Sequence, residues 1–410
     1  MRVLFVSDVY FPRVNGVSTS IRTFRADLAQ LGVESVLVTP AYPGQAADED
    51  PSIIRVPSGA VPRDPEDRRF LSGPLRTALN AELAGKVDLV HIHTPFIAHY
   101  AGVRFAREHG LPVVATYHTF FEDYLHHYVP ILPRVIGRWI ARRFTLSQCD
   151  DVASLISPSA PMRDALQAYG VSTPIEVLPT GLSAESYIRG DGAKFRQQFD
   201  LPADRPLLLY VGRVAFEKNI DFLLRMFVKL RILRPDAIFV IAGEGPALAH
   251  LSRLARELGV EAHVKFIGYL DRRTELPNCY AAGDAFVFAS RTETQGLVLL
   301  EAMAQGTPVV SIAELGTRSI LTSESGAIVV PEEEDAFAAG VVEALALTAD
   351  SPRRAQLRVH AESWASLAMA RKLSSFYESV AASANQSTRD FGRGPVGPRH
   401  EWSQAPEKTR

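Results

Sequence analysis

Several features that define large classes of protein are scarce in this sequence. Its 410 residues include only two cysteines, Cys149 and Cys279, which excludes a disulfide scaffold and a cysteine-cluster metal site. Positive and negative side chains nearly balance, 44 against 46, which excludes a protein that binds nucleic acid over its whole surface. No apolar run approaches the roughly 18 residues of a membrane-spanning helix, and the N-terminal apolar run is too short for a signal peptide. We therefore expect a cytoplasmic protein whose membrane contact is peripheral at most.

What is present is the composition of a folded soluble protein, with 47% hydrophobic and 22% charged residues. A chain of this length predicts two or three domains. In the first half, short apolar runs alternate with helical patterns such as residues 18–31 and 97–109. The predicted strands are residues 3–7, 35–39, 89–92, 113–116, 152–156 and 175–178. This alternation predicts a parallel sheet with crossover helices on both faces.

The alternation restarts after a linker, rich in Gly and Ser, at residues 181–191. The second set of predicted strands is residues 206–211, 237–242, 263–266, 285–288 and 308–311, with helices at 219–233, 247–258 and 296–304. We therefore predict an α/β fold with two Rossmann-like domains, residues 1–185 and 186–361. A helix at 362–382 and a disordered tail at 383–410 would complete the chain. Ligands of such sheets bind beyond the carboxyl ends of the strands, so we expect the functional site in the interdomain cleft.

Two loops of the N-terminal half follow predicted strands and carry candidate functional residues. Asn15-Gly16 is a turn signal ahead of a helix that Ser18 could cap. Gly16 would let the backbone approach a ligand at the helix N-terminus, which favours an anion. His93 and His118 lie at the ends of two strands and could donate to a phosphate or a sugar hydroxyl. An ordinary turn and two structural histidines are the alternatives that these residues leave open.

In the C-terminal half, Arg213 and Lys218 share one loop after a strand. An arginine fork beside a lysine point charge suits a diphosphate, although two solvated surface charges are the alternative. Gly243 begins a Gly-Glu-Gly-Pro turn that nearly matches a dinucleotide fingerprint. The third glycine of that fingerprint is missing, because residue 248 is Leu. We interpret the segment as a tight strand–helix turn near a nucleotide rather than as an NAD site.

The most informative segment is residues 290–303. Gly296 marks a helix start, where free N–H groups can meet phosphate or sugar oxygens. Glu293 precedes this helix and Glu301 lies within it. Glu293 would project toward sugar hydroxyls and Glu301 toward a ribose diol, because carboxylates accept hydrogen bonds from hydroxyl groups. Glu301 is embedded in an otherwise apolar helix, where a carboxylate needs partners, so two merely solvated or capping carboxylates fit the pattern poorly.

Together these features resemble retaining glycosyltransferases of family 4, which have the GT-B fold. The resemblance covers roughly residues 1–382 and rests on the order and spacing of the motifs. The motifs are the Gly16 loop, the His118 strand end, Gly212-Arg213 with Glu217-Lys218, Gly243-Glu244-Gly245-Pro246, and Glu293-x7-Glu301. The resemblance implies two Rossmann-like domains around a cleft, a C-terminal helix that crosses back, and transfer of a hexose from a nucleotide sugar with retention of configuration.

The resemblance also implies a role for each motif residue. Arg213 and Lys218 would bind the diphosphate, Glu293 the donor sugar, and Glu301 the ribose. His118 would hydrogen-bond near the sugar and the leaving phosphate. His118, Glu293, Arg213 and Lys218 would thus be the catalytic residues. The remaining donor contacts would come from Gly16, Gly243, Tyr269, Gly296, Leu297 and Val298, with Tyr269 near the base.

We expect no metal and no cofactor besides the nucleotide-sugar co-substrate. Asp48-Glu49-Asp50 formally matches the D-x-D pattern of metal-dependent glycosyltransferases, but it lies in a polar loop and not at an apolar strand end. The motif residues do not separate a UDP-glucose donor from a GDP-mannose donor. The oligomeric state also stays open, and no nucleic-acid partner is expected.

Acceptor recognition is expected in the N-terminal domain, with contributions from His93. A helix after residue 133 carries a stripe of Arg134, Arg138 and Arg142, with Trp139 among apolar residues elsewhere on the wheel. A basic stripe with Trp and Ile is typical of an interfacial helix on anionic lipid, and a core-packed helix with a solvated arginine face is the alternative.

The segment from His118 to Tyr124 resembles enzymes that glycosylate diacylglycerol-type lipids. We therefore predict a lipid acceptor at an anionic membrane surface, on the inner face of the plasma membrane. A soluble glycosyltransferase acting on a sugar or small metabolite shares every donor residue and is the main alternative. A sugar-nucleotide epimerase and a non-catalytic nucleotide-sugar-binding protein are further alternatives. The Glu293-x7-Glu301 pattern argues against the epimerase, and the intact set of motif residues argues against the non-catalytic protein.

Overall fold

A computed structural model of the chain describes residues 1–61, 64–118 and 134–391. The strands are β1 Arg2–Val6, β2 Glu34–Pro40, β3 Ile53–Val56, β4 Ser58–Val61, β5 Asp64–Phe70, β6 Leu89–Ile92, β7 Val113–Thr116, β8 Ser154–Ser157, β9 Ile175–Val177, β10 Leu207–Val211, β11 Ile238–Ala242, β12 Val264–Gly268, β13 Ala285–Phe288, β14 Val309–Ser311 and β15 Ile328–Val329.

The helices alternate with these strands over most of the chain. They are α1 Gly16–Gln30, α2 Ser72–Leu83, α3 Ile97–His109, α4 Arg134–Asp150, α5 Ala160–Ala168, α6 Gly192–Gln198, α7 Ile220–Leu233, α8 Leu248–Glu257, α9 Leu276–Ala282, α10 Leu297–Ala304, α11 Glu334–Leu345, α12 Pro352–Glu362 and α13 Ser366–Phe391. Short 3-10 turns occupy Ala184–Tyr187, Phe216–Lys218, Glu261–His263 and Leu315–Ser319.

Two parallel sheets form the frame of the molecule. The N-terminal sheet has seven strands in the order β3-β2-β1-β6-β7-β8-β9, and the C-terminal sheet has six in the order β12-β11-β10-β13-β14-β15. Their central strands are buried along their whole length, because helices cover both faces. This confirms the predicted α/β fold with two Rossmann-like domains.

Several elements differ from the sequence prediction, among them the two-residue strand β15, which was not predicted. The edge strand β3 and the antiparallel hairpin β4–β5 were not predicted, because neither shows a buried apolar run. The residue that caps α1 is Asn15, whose side chain accepts a hydrogen bond from the Ser18 backbone N–H, so the expectation that Ser18 is the cap was wrong. Within the predicted linker, residues 184–187 form a 3-10 turn.

The C-terminal segment packs against the N-terminal domain. Met369, Leu373 and Tyr377 of α13 lie in one apolar cluster with α1 and β1. Glu362 ends the preceding helix, so α13 begins four residues later than the predicted start, and it continues to Phe391. Residues 383–391 are therefore helical, whereas the sequence predicted a disordered tail from 383; residues 392–410 lie outside the described part of the chain.

Between α12 and α13 the chain runs alongside the interdomain linker. The Leu182 backbone N–H donates to the Trp364 carbonyl, and the Leu182 carbonyl accepts from the Ser366 N–H, both at 2.8 Å. A Cβ at Gly181 would lie 2.4 Å from the Ser366 Cα, so only glycine allows this approach. Within the described residues, no helix is long and apolar enough to cross a membrane.

Candidate active site

The carboxyl ends of the central strands of both sheets meet at the boundary between the domains. The loop after β13 crosses this boundary: the Thr294 hydroxyl donates to the His118 carbonyl at 3.0 Å, and the Ser159 hydroxyl donates to the Thr294 carbonyl at 2.7 Å. The side-chain amide of Gln295 exchanges two hydrogen bonds with the Thr180 backbone, at 2.6 and 2.9 Å. The segment that holds Glu293 therefore lies against the segment that holds His118.

On the N-terminal side, Gly16 begins α1 immediately after the Asn15 cap. A Cβ built on Gly16 would meet nothing within 4 Å, and its backbone φ is not in the left-handed region. The fold therefore does not itself require glycine here. The space beside it lies next to the first N–H groups of a 15-residue helix, where an anion would be stabilised.

Three histidines, which we call the histidine cluster, connect the cleft to the domain core: His91, His93 and His118. His93 Nδ1 lies 3.3 Å from His118 Nε2, and the His91 and His93 ring centroids are 3.9 Å apart. His91 Nδ1 lies 2.6 Å from the Tyr377 hydroxyl of α13, and its Nε2 lies 2.7 Å from Thr116 Oγ1. The structure thus brings the two predicted histidines into contact and adds His91, which lies within β6.

Burial keeps the histidine cluster neutral. It lowers the pKa of His118 to about 4, and it holds the pKa values of His91 and His93 well below the usual range, with the neighbouring rings contributing. His118 at neutral pH is therefore an uncharged hydrogen-bonding group and not a cation for phosphate. The Nε2 of His93 is buried and, among the described residues, has no hydrogen-bond partner.

On the C-terminal side, the predicted cations lie in the loop after β10. Lys218 Nζ lies 2.5 Å from Glu293 Oε1, so a predicted diphosphate ligand and a predicted sugar ligand already form an ion pair. Arg213 NH1 lies 3.9 Å from Glu217 Oε1, and both groups are largely shielded from solvent. The structure brings Lys218 and Glu293 together and places Arg213 in the same loop.

The Gly243 turn has a structural cause that the sequence did not reveal. Gly243 has φ +135°, and a Cβ there would lie 1.9 Å from the Gly212 carbonyl oxygen. The Val214 N–H donates to the Glu244 carbonyl at 2.8 Å, so the two strand-end loops are bonded to each other. Gly243 thus allows one loop to lie against the other, which is a role independent of any ligand.

Helix α10 presents the second carboxylate. Gly296 caps it with φ +99°, so the Leu297 and Val298 N–H groups lie in the first turn. Glu301 is buried, accepts a 2.8 Å hydrogen bond from the Tyr280 hydroxyl, and forms a short ion pair with Arg272. Glu301 raises the pKa of Arg272. Burial, followed by the charge of Glu301, holds the pKa of Tyr280 well above its usual range.

Arg272 and Tyr280 were missed by sequence reasoning. They come from the loop after β12 and from α9, and only the fold places them beside Glu301. Arg272 does follow Tyr269 by three residues in a strand-end loop, so its charge and position were a usable signal. Tyr269 itself is partly exposed in that loop.

A cavity of about 420 Å³ opens in the N-terminal domain beside the histidine cluster. His93 and His118 line it, with apolar side chains that include Ile97 and Leu155, and it reaches the surface at Phe96, which is exposed. Asp8 also lines the cavity, and burial raises the pKa of Asp8 to about 6 although Thr94 and Ala98 donate hydrogen bonds to it.

The surface of α4 carries exposed apolar residues. Ile136 is 49% exposed, Trp139 61% and Ile140 42%, and the Arg143 guanidinium lies 5.6 Å from the Trp139 ring centroid. Arg142 donates to the Tyr169 carbonyl at 2.8 Å. The same helix also buries Ala141, Thr145 and Cys149 in the domain, so it is packed on one side and exposes apolar side chains on another. Arg134 and Arg138 lie on the helix, but their side chains, and Tyr124 altogether, fall outside the described residues.

The D-x-D segment is held by arginines. The Arg55 guanidinium bonds both Asp48 oxygens at 2.7 and 2.9 Å, and Arg25 bonds Asp50 at 3.0 Å. Over the described ranges, no group of three or more His, Cys, Asp or Glu side chains has the arrangement of a metal site.

Comparisons with known proteins agree across both halves of the chain. Residues 14–186 match the family model described as Glycosyltransferase Family 4, and residues 191–364 match that described as Glycosyl transferases group 1. The alpha-monoglucosyldiacylglycerol synthase of Streptococcus pneumoniae is 33% identical over 85% of this chain and 79% of its own length. The enzyme of the same name from Acholeplasma laidlawii is 27% identical, over 76% of this chain and 80% of its own. Among solved structures, sucrose-phosphate synthase from Thermosynechococcus elongatus superposes with a TM-score of 0.70 at 22% identity, covering 95% of this chain and 99% of that one.

Proposed function

The chain belongs to glycosyltransferase family 4, and we propose that it transfers a hexose from a nucleotide sugar to a hydroxyl group of a membrane lipid. The donor is of the UDP-glucose or GDP-mannose type, the reaction retains the anomeric configuration, and no metal takes part. The observation that carries the lipid acceptor is the N-terminal cavity, which runs from the histidine cluster to the exposed Phe96. The two relatives named alpha-monoglucosyldiacylglycerol synthase support the same acceptor class.

In this proposal the donor lies along the C-terminal side of the cleft. Its diphosphate is bound by Arg213, Lys218 and the first N–H groups of α10, and the Gly16 end of α1 covers it from the other domain. Glu301 accepts from the ribose diol. Glu293 accepts from the donor sugar, which requires it to share or release the Lys218 ammonium now 2.5 Å away. The same movement would free Lys218 for the diphosphate. Opening this one ion pair would therefore make Glu293 available to the sugar and Lys218 available to the diphosphate.

The transfer breaks the bond between the sugar C1 and the diphosphate oxygen and forms a bond from C1 to the acceptor oxygen on the same face. The acceptor proton passes to the departing phosphate oxygen, so no protein base is needed. Arg213, Lys218 and the α10 N-terminus stabilise the negative charge that develops on the diphosphate. His118, held neutral by burial, hydrogen-bonds to the sugar without repelling the oxocarbenium-like charge that develops at C1.

The acceptor hydroxyl lies at the inner end of the cavity, where the buried Nε2 of His93 can accept or donate a hydrogen bond. The apolar part of the lipid fills the outer half and leaves the protein at Phe96. The Ile136, Trp139 and Ile140 face of α4 inserts among lipid headgroups, and Arg142 and Arg143 meet anionic phosphates. The enzyme is therefore peripheral at the inner face of the membrane.

The donor and acceptor are tested together in one assay. The chain is incubated with UDP-glucose or GDP-mannose and with diacylglycerol in mixed micelles, or with soluble sugars instead. We expect glycolipid from one donor only, with the α-linkage retained in the product. Phe96→Arg, at an exposed position, should raise the acceptor KM about tenfold or more and leave the donor KM unchanged. Equal turnover with a soluble sugar would favour the soluble glycosyltransferase instead.

Membrane binding is tested by flotation with anionic vesicles. Trp139→Glu and Ile140→Glu should each reduce the floated fraction several-fold, because each places a charge in the apolar face. Ile232→Glu is the matched control, since Ile232 is 75% exposed on α7 of the other domain and should float like wild type. Equal flotation of all three variants would reject the role assigned to α4.

A further inference from the structure

A second cavity, of about 170 Å³, is lined by residues of both domains, and Glu301 and Leu297 are among them. Thr19 and Arg22 of α1 form one wall, and Arg272 and Arg273 of the C-terminal domain form the opposite wall. The linker segment around Glu185 closes one end. Arg213 and Lys218, which hold the diphosphate in the proposed function, do not line it.

The charges in this cavity do not balance. Three guanidinium groups face two carboxylates, and one of those carboxylates, Glu301, is already paired with Arg272 and bonded by Tyr280. Across the described part of the chain, no carboxylate oxygen is paired within 4 Å of the Arg22 or Arg273 guanidinium. Arg25, Arg55, Arg196 and Arg272, by contrast, each have such a partner.

The cations also act on each other. Burial lowers the pKa of Arg22, and the positive charges of Arg272 and Arg273 lower it further, while Tyr10 and Glu185 offset part of this effect. The Arg22 guanidinium lies 4.6 Å from the Phe11 ring centroid, which fixes it at the cavity wall. Thr19, which is 7% exposed, has a buried hydroxyl without a hydrogen-bond partner among the described residues.

We propose that this cavity is a binding site for a phosphate-class oxyanion that bridges the two domains. Arg22 and Arg273 would each donate charge-assisted hydrogen bonds to its oxygens, and Thr19 lies beside it as a further donor. The anion would replace repulsion across the domain boundary with attraction, and so would stabilise the two domains against one another. The phosphate could be free or part of a lipid headgroup, because the chemistry of recognition is the same. The cavity shares Glu301 and Leu297 with the proposed donor site, whereas Arg22, Arg273 and Thr19, which would hold the anion, have no role in the proposed sugar transfer.

The test is thermal unfolding of the full chain in sodium phosphate and in sodium chloride of equal ionic strength, without nucleotide. We expect phosphate to raise the Tm by about 5 °C at a concentration a hundred times its Kd, because a ligand that binds only the folded state stabilises it. Arg22→Gln and Arg273→Gln should each weaken phosphate binding about tenfold, the effect of one charge-assisted hydrogen bond. Because both variants are measured, a folding defect in one of them still leaves the other as a test.

Two matched controls locate the effect. Arg253→Gln removes the same charge from an exposed position on α8 and should keep the full phosphate response. Lys218→Gln alters the donor loop and should keep it too. A response that survives both Arg22→Gln and Arg273→Gln, or that disappears in Lys218→Gln, would place the phosphate in the donor loop and overturn the proposal.

A second arm separates the two sources of the anion. The same melts are measured with phosphatidylglycerol vesicles and with phosphatidylcholine vesicles as the neutral control. A rise with phosphatidylglycerol that Arg22→Gln abolishes, with none in free phosphate, would identify a lipid headgroup as the ligand. No Arg22-dependent rise in either arm would overturn the site.

Discussion

The two glycines predicted to contact the donor, Gly16 and Gly243, should respond to alanine in opposite ways. At Gly243 a methyl group would lie 1.9 Å from the Gly212 carbonyl oxygen, and the backbone has φ +135°. At Gly16 the same methyl group meets nothing within 4 Å, and the backbone is helical. The sequence predicts that both glycines let the backbone approach a ligand. In the structure, Gly243 is required for packing of one loop against another, whereas Gly16 lies beside the cleft with open space around it.

The two costs at Gly243 can be estimated separately. An alanine held at such a φ costs roughly 1–3 kcal/mol, and displacing the bonded loop of β10 costs roughly 1–3 kcal/mol more. Gly243→Ala should therefore lose about 2–6 kcal/mol of unfolding free energy. In a domain of this size each kcal/mol shifts the Tm by roughly 2–4 °C, so we expect a fall of at least about 4 °C. Gly16→Ala should keep or slightly raise the Tm, because alanine favours helix over glycine.

Calorimetric melting gives the stability, and the donor KM gives the binding. We expect Gly16→Ala to raise the donor KM about tenfold or more at normal stability, because the methyl group displaces a ligand that approaches the backbone. A stable Gly243→Ala would refute the loop-packing argument. A Gly16→Ala variant with unchanged donor KM would show that the diphosphate does not lie at the start of α1.

Further predictions concern the partner of Glu301, the pH dependence of stability and the effect of metal removal on activity. Tyr280→Phe should lose about 1.5–3 kcal/mol of unfolding free energy and raise the donor KM, because the hydroxyl that orients Glu301 is gone. Wild-type stability together with a wild-type donor KM would contradict the role assigned to the Tyr280–Glu301 hydrogen bond. The free energy of unfolding should fall between pH 6.5 and about 4, by roughly 1.4 kcal/mol per pH unit for His118, since the unfolded state takes up a proton that the folded state excludes. His91 and His93 act in the same direction, while Asp8, whose pKa is about 6, opposes them with one group, and chemical denaturation at pH 7 and 5 measures the balance. Transfer activity should persist in EDTA; activity that is lost and then restored by Mg²⁺ or Mn²⁺ would contradict a metal-independent reaction.

The elements that the sequence predicted well are the buried parallel strands. Residues 89–92, 113–116 and 285–288 match their strands at both ends, because an apolar run bounded by turn residues has few other ways to be buried. The sequence did not predict the hairpin β4–β5 and the edge strand β3, since neither carries such a run: among the described residues, each has a single buried apolar side chain, Val56 in β3 and Phe70 in the hairpin. The end of α13 was misplaced because the sequence of residues 383–391 is polar, and polarity alone does not stop a helix that is already packed.

The candidate site divides in the same way. Motif order within single loops indicated Arg213, Lys218, Glu293 and Glu301, because each motif lies within one strand–turn–helix unit whose local geometry is fixed by the chain itself. The sequence did not predict which of these groups form ion pairs with each other. The Lys218–Glu293 pair, for example, joins residues that are far apart in sequence.

The sequence by itself therefore determined the two parallel sheets, the loops that carry the chemistry and the family to which the chain belongs. Only the tertiary structure decided that Gly243 serves packing, that Arg272 and Tyr280 hold Glu301, that His91 joins the histidine cluster, and that an unbalanced set of arginines faces a cavity between the domains. The physical reason is the distance along the chain between the residues that interact. Strand and turn patterns are set by neighbours along the chain, whereas burial, ion pairing and pKa depend on groups that only folding brings within a few ångströms of each other.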